Sequence, residues 1–237
     1  MNRSKVKIGL VGSGKTGSEV LHLAKRNPLI ELEVFNSERP IQKNLDVVQS
    51  CRVLIVFVNS IIGKEILPLL IQIDKDIIFA STGLKFHQED LNAIAKKSSR
   101  WIVSSNFSTG VFIFKQLTKV MQKYKDLVPE SKFEIQETHH ITKVDSPSGT
   151  AKDILDWLSQ KDIPIESIRK EEVFGNHKLT LKNKTQSILV EHDATHRSIF
   201  AEGALQAAMK LGLPDGCFSN LPPGLYQYYD LLERNFT

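Results

Sequence analysis

Little in this 237-residue chain points toward a membrane or an oxidising compartment. Cysteine is nearly absent. Cys51 and Cys217 form no metal-ligand or redox spacing, so both are expected to be plain thiols in a reducing cytosol. Long apolar runs are missing too. The longest, Val53 to Val58, is far shorter than the roughly 20 residues a membrane span needs. Met1 to Lys7 is polar, with no signal-peptide core ahead of the first apolar run. The expectation is a cytoplasmic protein with no membrane partner. Neither sign of charge dominates: 31 Lys plus Arg stand against 27 Asp plus Glu, and no basic run makes a nucleic-acid stripe. The small positive balance suits an anionic small molecule, a phosphate or a dicarboxylate. No internal repeat or low-complexity tract is present.

What the chain does contain is alternation. Val6 to Val11 predicts a strand, and Gly17, Val20, Leu21 and Ala24 then recur on one face of a helix. Leu32 to Phe35, Val53 to Val58, Ile77 to Ala80 and Trp101 to Val103 predict further strands. Helical patterns lie between them near Lys64 to Ile71 and Glu89 to Lys97. A strand apolar on both faces, such as Val53 to Val58, belongs in the middle of a parallel sheet. The fold class expected is α/β, a doubly wound parallel sheet. After Gly110 the pattern changes. Phe114, Leu117, Met121 and Tyr124 predict one face of a longer helix, and Phe133 and Ile135 alternate with Glu134 and Gln136 as a half-buried strand. Lys178 to Leu181 and Ser187 to Val190 follow as strands, then a helix with Ala204, Ala207, Ala208 and Leu211 on one stripe. Strict βαβ order is lost, which predicts a second, α+β domain with a largely open sheet.

Gly12-Ser13-Gly14-Lys15-Thr16-Gly17 matches G-x-G-x-x-G between a strand and a helix. In that setting Gly12 allows the tight turn, Gly14 lets a pyrophosphate approach the backbone, and Gly17 lets helix and strand touch. The helix N-terminus then offers amide donors and a partial positive charge. The same stretch also satisfies a P-loop, counting from Gly9 to Gly14-Lys15-Thr16. A P-loop enzyme wants an apolar strand ending in Asp for Mg²⁺. Val53 to Val58 ends in Asn59 and Ile77 to Ala80 ends in Ser81, so dinucleotide binding is the better fit. Past the second strand stands Asn36 in place of an acid. Ser37, Arg39 and Lys15 suit a 2′-phosphate, which leans toward NADPH, while Glu38 keeps NADH open.

The densest chemistry runs from Glu137 to Ala151. His139 and His140, adjacent in a strand, point to opposite faces. Lys143 lies four residues beyond His139, on the same face if the strand continues. Pro147 stops the strand, Ser148 or Thr150 can cap a helix striped with Ala151, Ile154, Leu155 and Leu158, and the amides of Gly149 and Thr150 suit a carboxylate. No Cys or third His lies at a spacing that would complete a metal site, so no metal is expected.

This stretch resembles the E-x-H-H-x-x-K-x-D-x-P-S-G-T-A motif of the dihydrodipicolinate reductase family at every fixed position. Ala80-Ser81-Thr82-Gly83 is similar to that family's G-T-T-G loop, and Ser104-Ser105-Asn106-Phe107-Ser108-Thr109-Gly110-Val111 to its A-x-N-F-S-x-G-V segment. His192 to Arg197, Phe200 to Ala204 and Gly224-Leu225-Tyr226 continue the likeness. Two departures stand out. The glycine loop is one residue shorter, with Lys15-Thr16 where Arg-Met is common, and Gly175 to Gln186 lacks the usual glycine- and arginine-rich segment.

The resemblance implies a Rossmann-like dinucleotide-binding domain over 1–109 and 214–237, and a substrate-binding and oligomerisation domain over 110–213 that builds a homotetramer. It implies NAD(P)H-dependent reduction of 4-hydroxy-tetrahydrodipicolinate, a dicarboxylate, to tetrahydrodipicolinate. In that reading His139 is the acid and Lys143 assists it, while His140, Lys143, Gly149 and Thr150 hold the substrate. The cofactor would touch residues 12–17, Asn36, Ser37, Arg39, Ala80, Ser81, Thr82, Ser104, Ser105, Asn106 and Phe107. The alternatives are a P-loop nucleotide hydrolase, which would need Mg²⁺, and a dinucleotide-sensing protein that leaves the His-Lys cluster idle.

Overall fold

The computed structural model describes residues 5–81, 83–143 and 145–236. The chain divides into two compact units, 1–107 with 198–237, and 108–197.

The first unit opens β1 (Val6–Val11), α1 (Lys15–Lys25), β2 (Ile30–Phe35), α2 (Leu45–Ser50), β3 (Val53–Val56) and α3 (Ser60–Ile73). It continues with β4 (Asp76–Phe79), α4 (Gln88–Ala95) and β5 (Arg100–Val103). The strands form a six-stranded sheet in the order β10-β5-β4-β3-β1-β2, where β10 is Gly224–Gln227, and every pairing is parallel. All residues of β3, β4 and β5 are buried. That matches their apolar composition, because helices cover both faces of a doubly wound sheet. Gly9 lies inside β1, where an added Cβ would come 2.6 Å from the Leu54 side chain. A glycine built into a strand in this way cannot begin a phosphate loop, and the P-loop reading falls.

The second unit contains α5 (Thr109–Tyr124), β6 (Lys132–His139), α6 (Gly149–Trp157), β7 (Ile165–Arg169), β8 (Gly175–Lys182) and β9 (Ser187–Ala194). Its four strands run β7-β6-β8-β9, with β7 parallel to β6 and the other pairs antiparallel. One core joins Phe114 and Met121 of α5, Phe133 and Ile135 of β6, Ile154 of α6, and Leu179 and Leu181 of β8.

Several expectations need correction. The helix Ser198–Gly212, α7, belongs to the first unit, so the return comes at 198 and not at 214. Its buried small residues explain this: a Cβ on Gly203 would fall 1.7 Å from the Phe107 carbonyl oxygen, so only glycine lets the helix approach so closely. The tail supplies a sixth strand, β10, and a last helix, α8 (Tyr228–Phe236). Ahead of β10, a buried ion pair between Arg100 and Asp76 also holds the tail, as the guanidinium donates to the carbonyls of Phe218 and Ser219. The predicted stripe on α5 is rotated. Val111, Phe114, Thr118 and Met121 are buried, whereas Leu117 and Tyr124 are 44% and 50% exposed. The segment 175–186 is most of a β-hairpin whose turn is tied by Asn183, and β7 had no forecast at all.

Candidate functional site

In the first unit the chain turns sharply after β1. Gly12 has φ +98°, and a Cβ there would lie 2.2 Å from the Phe57 carbonyl oxygen. Gly17, buried in α1, would bring a Cβ to 2.0 Å from the Gly12 oxygen. Neither position tolerates a side chain, for steric reasons internal to the protein. Gly14 differs: an added Cβ would meet nothing within 4 Å. Gly14 is also the N-cap of α1, and no side chain caps that helix. The open space and the uncapped amides form a cradle that fits a pyrophosphate. Ser13, Gly14 and Lys15 are exposed, with Thr16 half-buried.

The end of β2 is bound to this loop. The Asn36 side-chain amide donates to Ser13 Oγ at 3.2 Å, and Asn36 Oδ1 accepts the amides of Glu38 and Arg39. Ser37 is exposed beside it. Arg39 is already engaged. Its guanidinium meets Glu33 at 2.7 Å and lies over the Phe35 ring. The Glu33 carboxyl is held below the usual range, first by the Arg39 hydrogen bond.

Around the ends of β4 and β5 the expected contacts are mixed. Ala80 and Ser81 are buried, and Ser81 donates to the Val58 carbonyl at 2.7 Å. Thr82 lies outside the described residues. Ser104 Oγ bridges to Asn106 through its carbonyl and amide, and Ser105 is exposed. Phe107 packs against Tyr228 in the core at 4.7 Å, so its ring is not a cofactor wall and only its backbone can face a ligand. A groove that sequence reasoning missed lies nearby, lined by Ser60, Ile61, Lys64, Leu84 and Lys85.

In the second unit, period-two alternation puts Phe133, Ile135, Glu137 and His139 on the buried face of β6. His140 begins the following segment and is half-buried, with Thr142 Oγ1 2.8 Å from its Nδ1. The strand ends at His139. A turn closed by the Lys143 amide on the His140 carbonyl follows, so Lys143 does not share a strand face with His139. Lys143 instead pairs with Asp145 at 2.8 Å. Burial pulls the Asp145 carboxyl upward most strongly of any one influence, but the hydrogen bond and charge of Lys143, with smaller contributions, outweigh it and leave it low.

Glu137 is 0% exposed and His139 7%. Both Glu137 oxygens accept the Ser148 amide, at 3.0 and 3.1 Å, and Oε1 also accepts the Ser167 hydroxyl at 2.8 Å and Arg169 at 3.4 Å. Burial alone would raise this carboxyl, yet the hydrogen bonds of Ser148 and Ser167, joined by the nearby His139, hold it below its ordinary range. Burial pushes the His139 imidazole down, and the positive charges of Lys143 and Arg169 add to that against the pull of Glu137. Across the sheet, His177 of β8 packs edge-on to His139 at 5.1 Å. Burial drives its imidazole down to about 3.

Ser148 caps α6, accepting the Ala151 amide at 3.1 Å. Gly149 follows with nothing within 4 Å of an added Cβ, and Thr150 is half-buried in the same turn. The helix start therefore faces open space, as carboxylate binding requires.

Glu137, Ser167, Arg169, Gly175 and His177 were absent from the forecast as working residues. Two signals were present: Glu137 opens the motif that ends at Ala151, and Gly175, His177, Leu179 and Leu181 alternate regularly on β8. The fold also supplies the third histidine that spacing excluded: ligand atoms of Glu137, His139 and His177 lie within 4.8 Å of one another. Arg169 and two hydrogen-bonding serines already occupy that carboxylate, and a guanidinium there opposes a cation.

Comparison with known proteins covers both units. Residues 6–107 match the family model for the N-terminus of dihydrodipicolinate reductase, and residues 110–232 match that for its C-terminus. The chain is 32% identical over 233 residues to the 4-hydroxy-tetrahydrodipicolinate reductase of Bdellovibrio bacteriovorus, covering 96% of each. It is 29% identical to that of Pelagibacter ubique, covering 97% of this chain and 98% of the relative. Among solved structures, the dipicolinate-bound dihydrodipicolinate reductase from Paenisporosarcina sp. TG-14 superimposes with a TM-score of 0.71 at 18% identity, over 94% of this chain and 97% of that one. The C. glutamicum DAP dehydrogenase in complex with DAP gives 0.56 at 12% identity, over 96% and 94%.

Proposed function

Because the chain belongs to the dihydrodipicolinate reductase family, and so is an NAD(P)H-dependent oxidoreductase of lysine and diaminopimelate synthesis, we propose that it reduces 4-hydroxy-tetrahydrodipicolinate to tetrahydrodipicolinate with His139 as the proton donor. The observation that carries this reading is a buried imidazole set against a buried carboxylate, one strand-end away from a helix start with open space over it. A dicarboxylate needs donors at two places. The first turn of α6, at Gly149 and Thr150, takes one carboxylate, and His140 and Lys143 take the other.

The bound dihydronicotinamide supplies a hydride. The substrate gains that hydride and one proton, and its hydroxyl leaves as water. His139 provides the proton. In the ligand-free protein burial keeps its imidazole neutral at pH 7. Two incoming carboxylates favour the charged form, so substrate binding loads the acid with its proton. Lys143, released from Asp145 or sharing it, stabilises negative charge that develops on the ring.

NADPH is the preferred cofactor in this reading. Lys15 and Ser37 stand at the loop and at the end of β2, where a 2′-phosphate would lie. Arg39 contributes less than its sequence position promised, since Glu33 shares it. The protein acts in the cytoplasm as a homotetramer, and the exposed apolar residues Ile188 and Leu189 on β9 support burial of that strand in an assembly. No described helix is long and apolar enough to cross a membrane.

The test couples the purified protein to dihydrodipicolinate synthase with pyruvate and aspartate semialdehyde and follows oxidation of NADPH and of NADH. Oxidation that depends on the synthase and on both of its substrates is the expected result. Cofactor binding without turnover would overturn the reading. A second measurement addresses the acid: dipicolinate binding at pH 7 should take up protons from buffer, and a calorimetric enthalpy independent of buffer ionisation would remove His139 from that role.

A further inference from the structure

Resting on His139 as the proton donor, we propose that Glu137 is the positioning residue of the site, a buried carboxylate that fixes both the His139 imidazole and the first turn of α6. Among the described residues it is the carboxylate that reaches both. Its two oxygens receive the Ser148 amide, which is the N-cap of α6, while Oε2 lies 3.2 Å from His139 Nδ1. Ser167 on β7 anchors Oε1 from the far side, and Arg169, which also donates to the Asp145 carbonyl at 2.7 Å, ties the carboxylate to the turn bearing Lys143. A shift of Glu137 would therefore move the acid and the carboxylate-binding turn together.

The remaining walls leave the imidazole little freedom. A Cβ on Gly175 would lie 3.2 Å from His139 Nε2, so glycine gives the ring its room there. His177 closes the other side, with its Nε2 3.3 Å from Ser148 Oγ. Among the described groups facing His139, the charged or titratable ones are Glu137 on its own strand, Lys143 and Asp145 on the following turn, Arg169 on β7 and His177 on β8. Glu137 is the nearest anion. It selects the tautomer with the proton on Nδ1, which leaves Nε2 to exchange protons with a substrate. At present His139 Nδ1 makes no aligned hydrogen bond despite the short distance. Such contacts often tighten only in the liganded complex.

The experiment compares Glu137→Gln, His139→Gln and the double variant in the coupled assay. Glu137→Gln should lower kcat on the order of 10²-fold, with NADPH affinity unchanged. The double variant should be no slower than His139→Gln, since residues acting as one unit do not lose activity independently. In the pH dependence of kcat/KM, the acid group of Glu137→Gln should move to lower pH, because the anion favouring the imidazolium is gone. Glu137→Asp, which keeps the charge, should move it back. Multiplicative losses in the double variant, or full activity of Glu137→Gln beside an inactive His139→Gln, would overturn this proposal alone. An active His139→Gln would overturn the assignment beneath it. If Glu137→Gln does not fold by circular dichroism, nitrogen NMR of the wild-type imidazoles decides: the Nδ1–H tautomer of His139 is expected, and the Nε2–H tautomer overturns the proposal.

Discussion

In the first unit the candidate cofactor residues offer mainly backbone. Gly12 and Gly17 are needed because other main-chain atoms lie about where their side chains would be, and Gly14 borders open space at a helix start. In the second unit the candidate acid is a side chain, held by others from three strands: Glu137 on β6, Ser167 and Arg169 on β7, His177 on β8. Backbone recognition is local, because one strand–turn–helix builds it. Side-chain recognition is distributed, and it depends on register. The electrostatics differ likewise. The first unit buries charge chiefly as the compensated pair Arg100–Asp76, whereas the second buries two histidines, His139 and His177, and half-buries His192, all three pushed down by burial.

The sharpest way to break this contrast is to remove the side chain that matters most. His139→Gln should lower kcat on the order of 10²-fold or more while cofactor affinity holds. Steady-state kinetics with fluorescence titration of NADPH checks it, and a variant impaired only in KM would dissolve the distinction between the units.

The backbone side is probed at Gly14. Gly14→Ala should leave thermal stability unchanged, since its methyl meets nothing in the free protein. It should weaken both dinucleotides by about tenfold, or about 1.4 kcal/mol, by blocking the approach of a phosphate. Gly17→Ala should instead lower stability, because its methyl strikes the Gly12 oxygen. Equal effects from both variants in paired melting and binding measurements would mean that Gly14 lines no ligand site.

Acid should separate the units. His177 has a folded-state value of about 3 against an ordinary 6.5. Its contribution is complete above pH 6.5 and is lost as pH falls toward 3, because the unfolded chain takes the proton first. At pH 5 the expected loss from this one group is about 2 kcal/mol. Hydrogen exchange at pH 7 and pH 5 should show amides of β6 and β8 losing protection before those of β3 and β4. The reverse order would mean that the buried histidines do not govern acid sensitivity.

The smallest effect is expected at the cofactor's ribose end. Lys15→Ala with Arg39→Ala should weaken NADPH by less than about tenfold, because Arg39 is shared with Glu33 and Lys15 is exposed. NADH should be unaffected. Titration of both cofactors at fixed ionic strength checks this, and equal weakening would assign the two residues to the shared pyrophosphate.

How far each unit was legible follows from the same contrast. Alternating apolar runs revealed the five leading parallel strands, and the glycine spacing marked the turn after β1, because both are set by neighbours within a few residues. The cluster from Glu137 to Ala151 stood out as chemistry, and the cap at Ser148 was among the options read for it. The stripe on α5 was misread because Leu117 and Tyr124 are as apolar as the residues that are buried. Composition does not say which side of a helix a sheet will cover. Likewise β10 is four residues long, and nothing within Gly224–Gln227 states that it pairs with β5.

By itself, then, the sequence determined the parallel architecture and the glycine turn, and marked the stretch from Glu137 to Ala151 as chemistry, all written in contiguous residues whose periodicity or spacing has a direct meaning. Only the tertiary structure decided that α7 rejoins the first unit, that Arg39 is bound to Glu33, and that Glu137 and His177 enclose His139. The physical reason is pairing register. Glu137 stands opposite His177 because β6 and β8 run antiparallel in one alignment, and a slip of one residue would turn His177 to the other face.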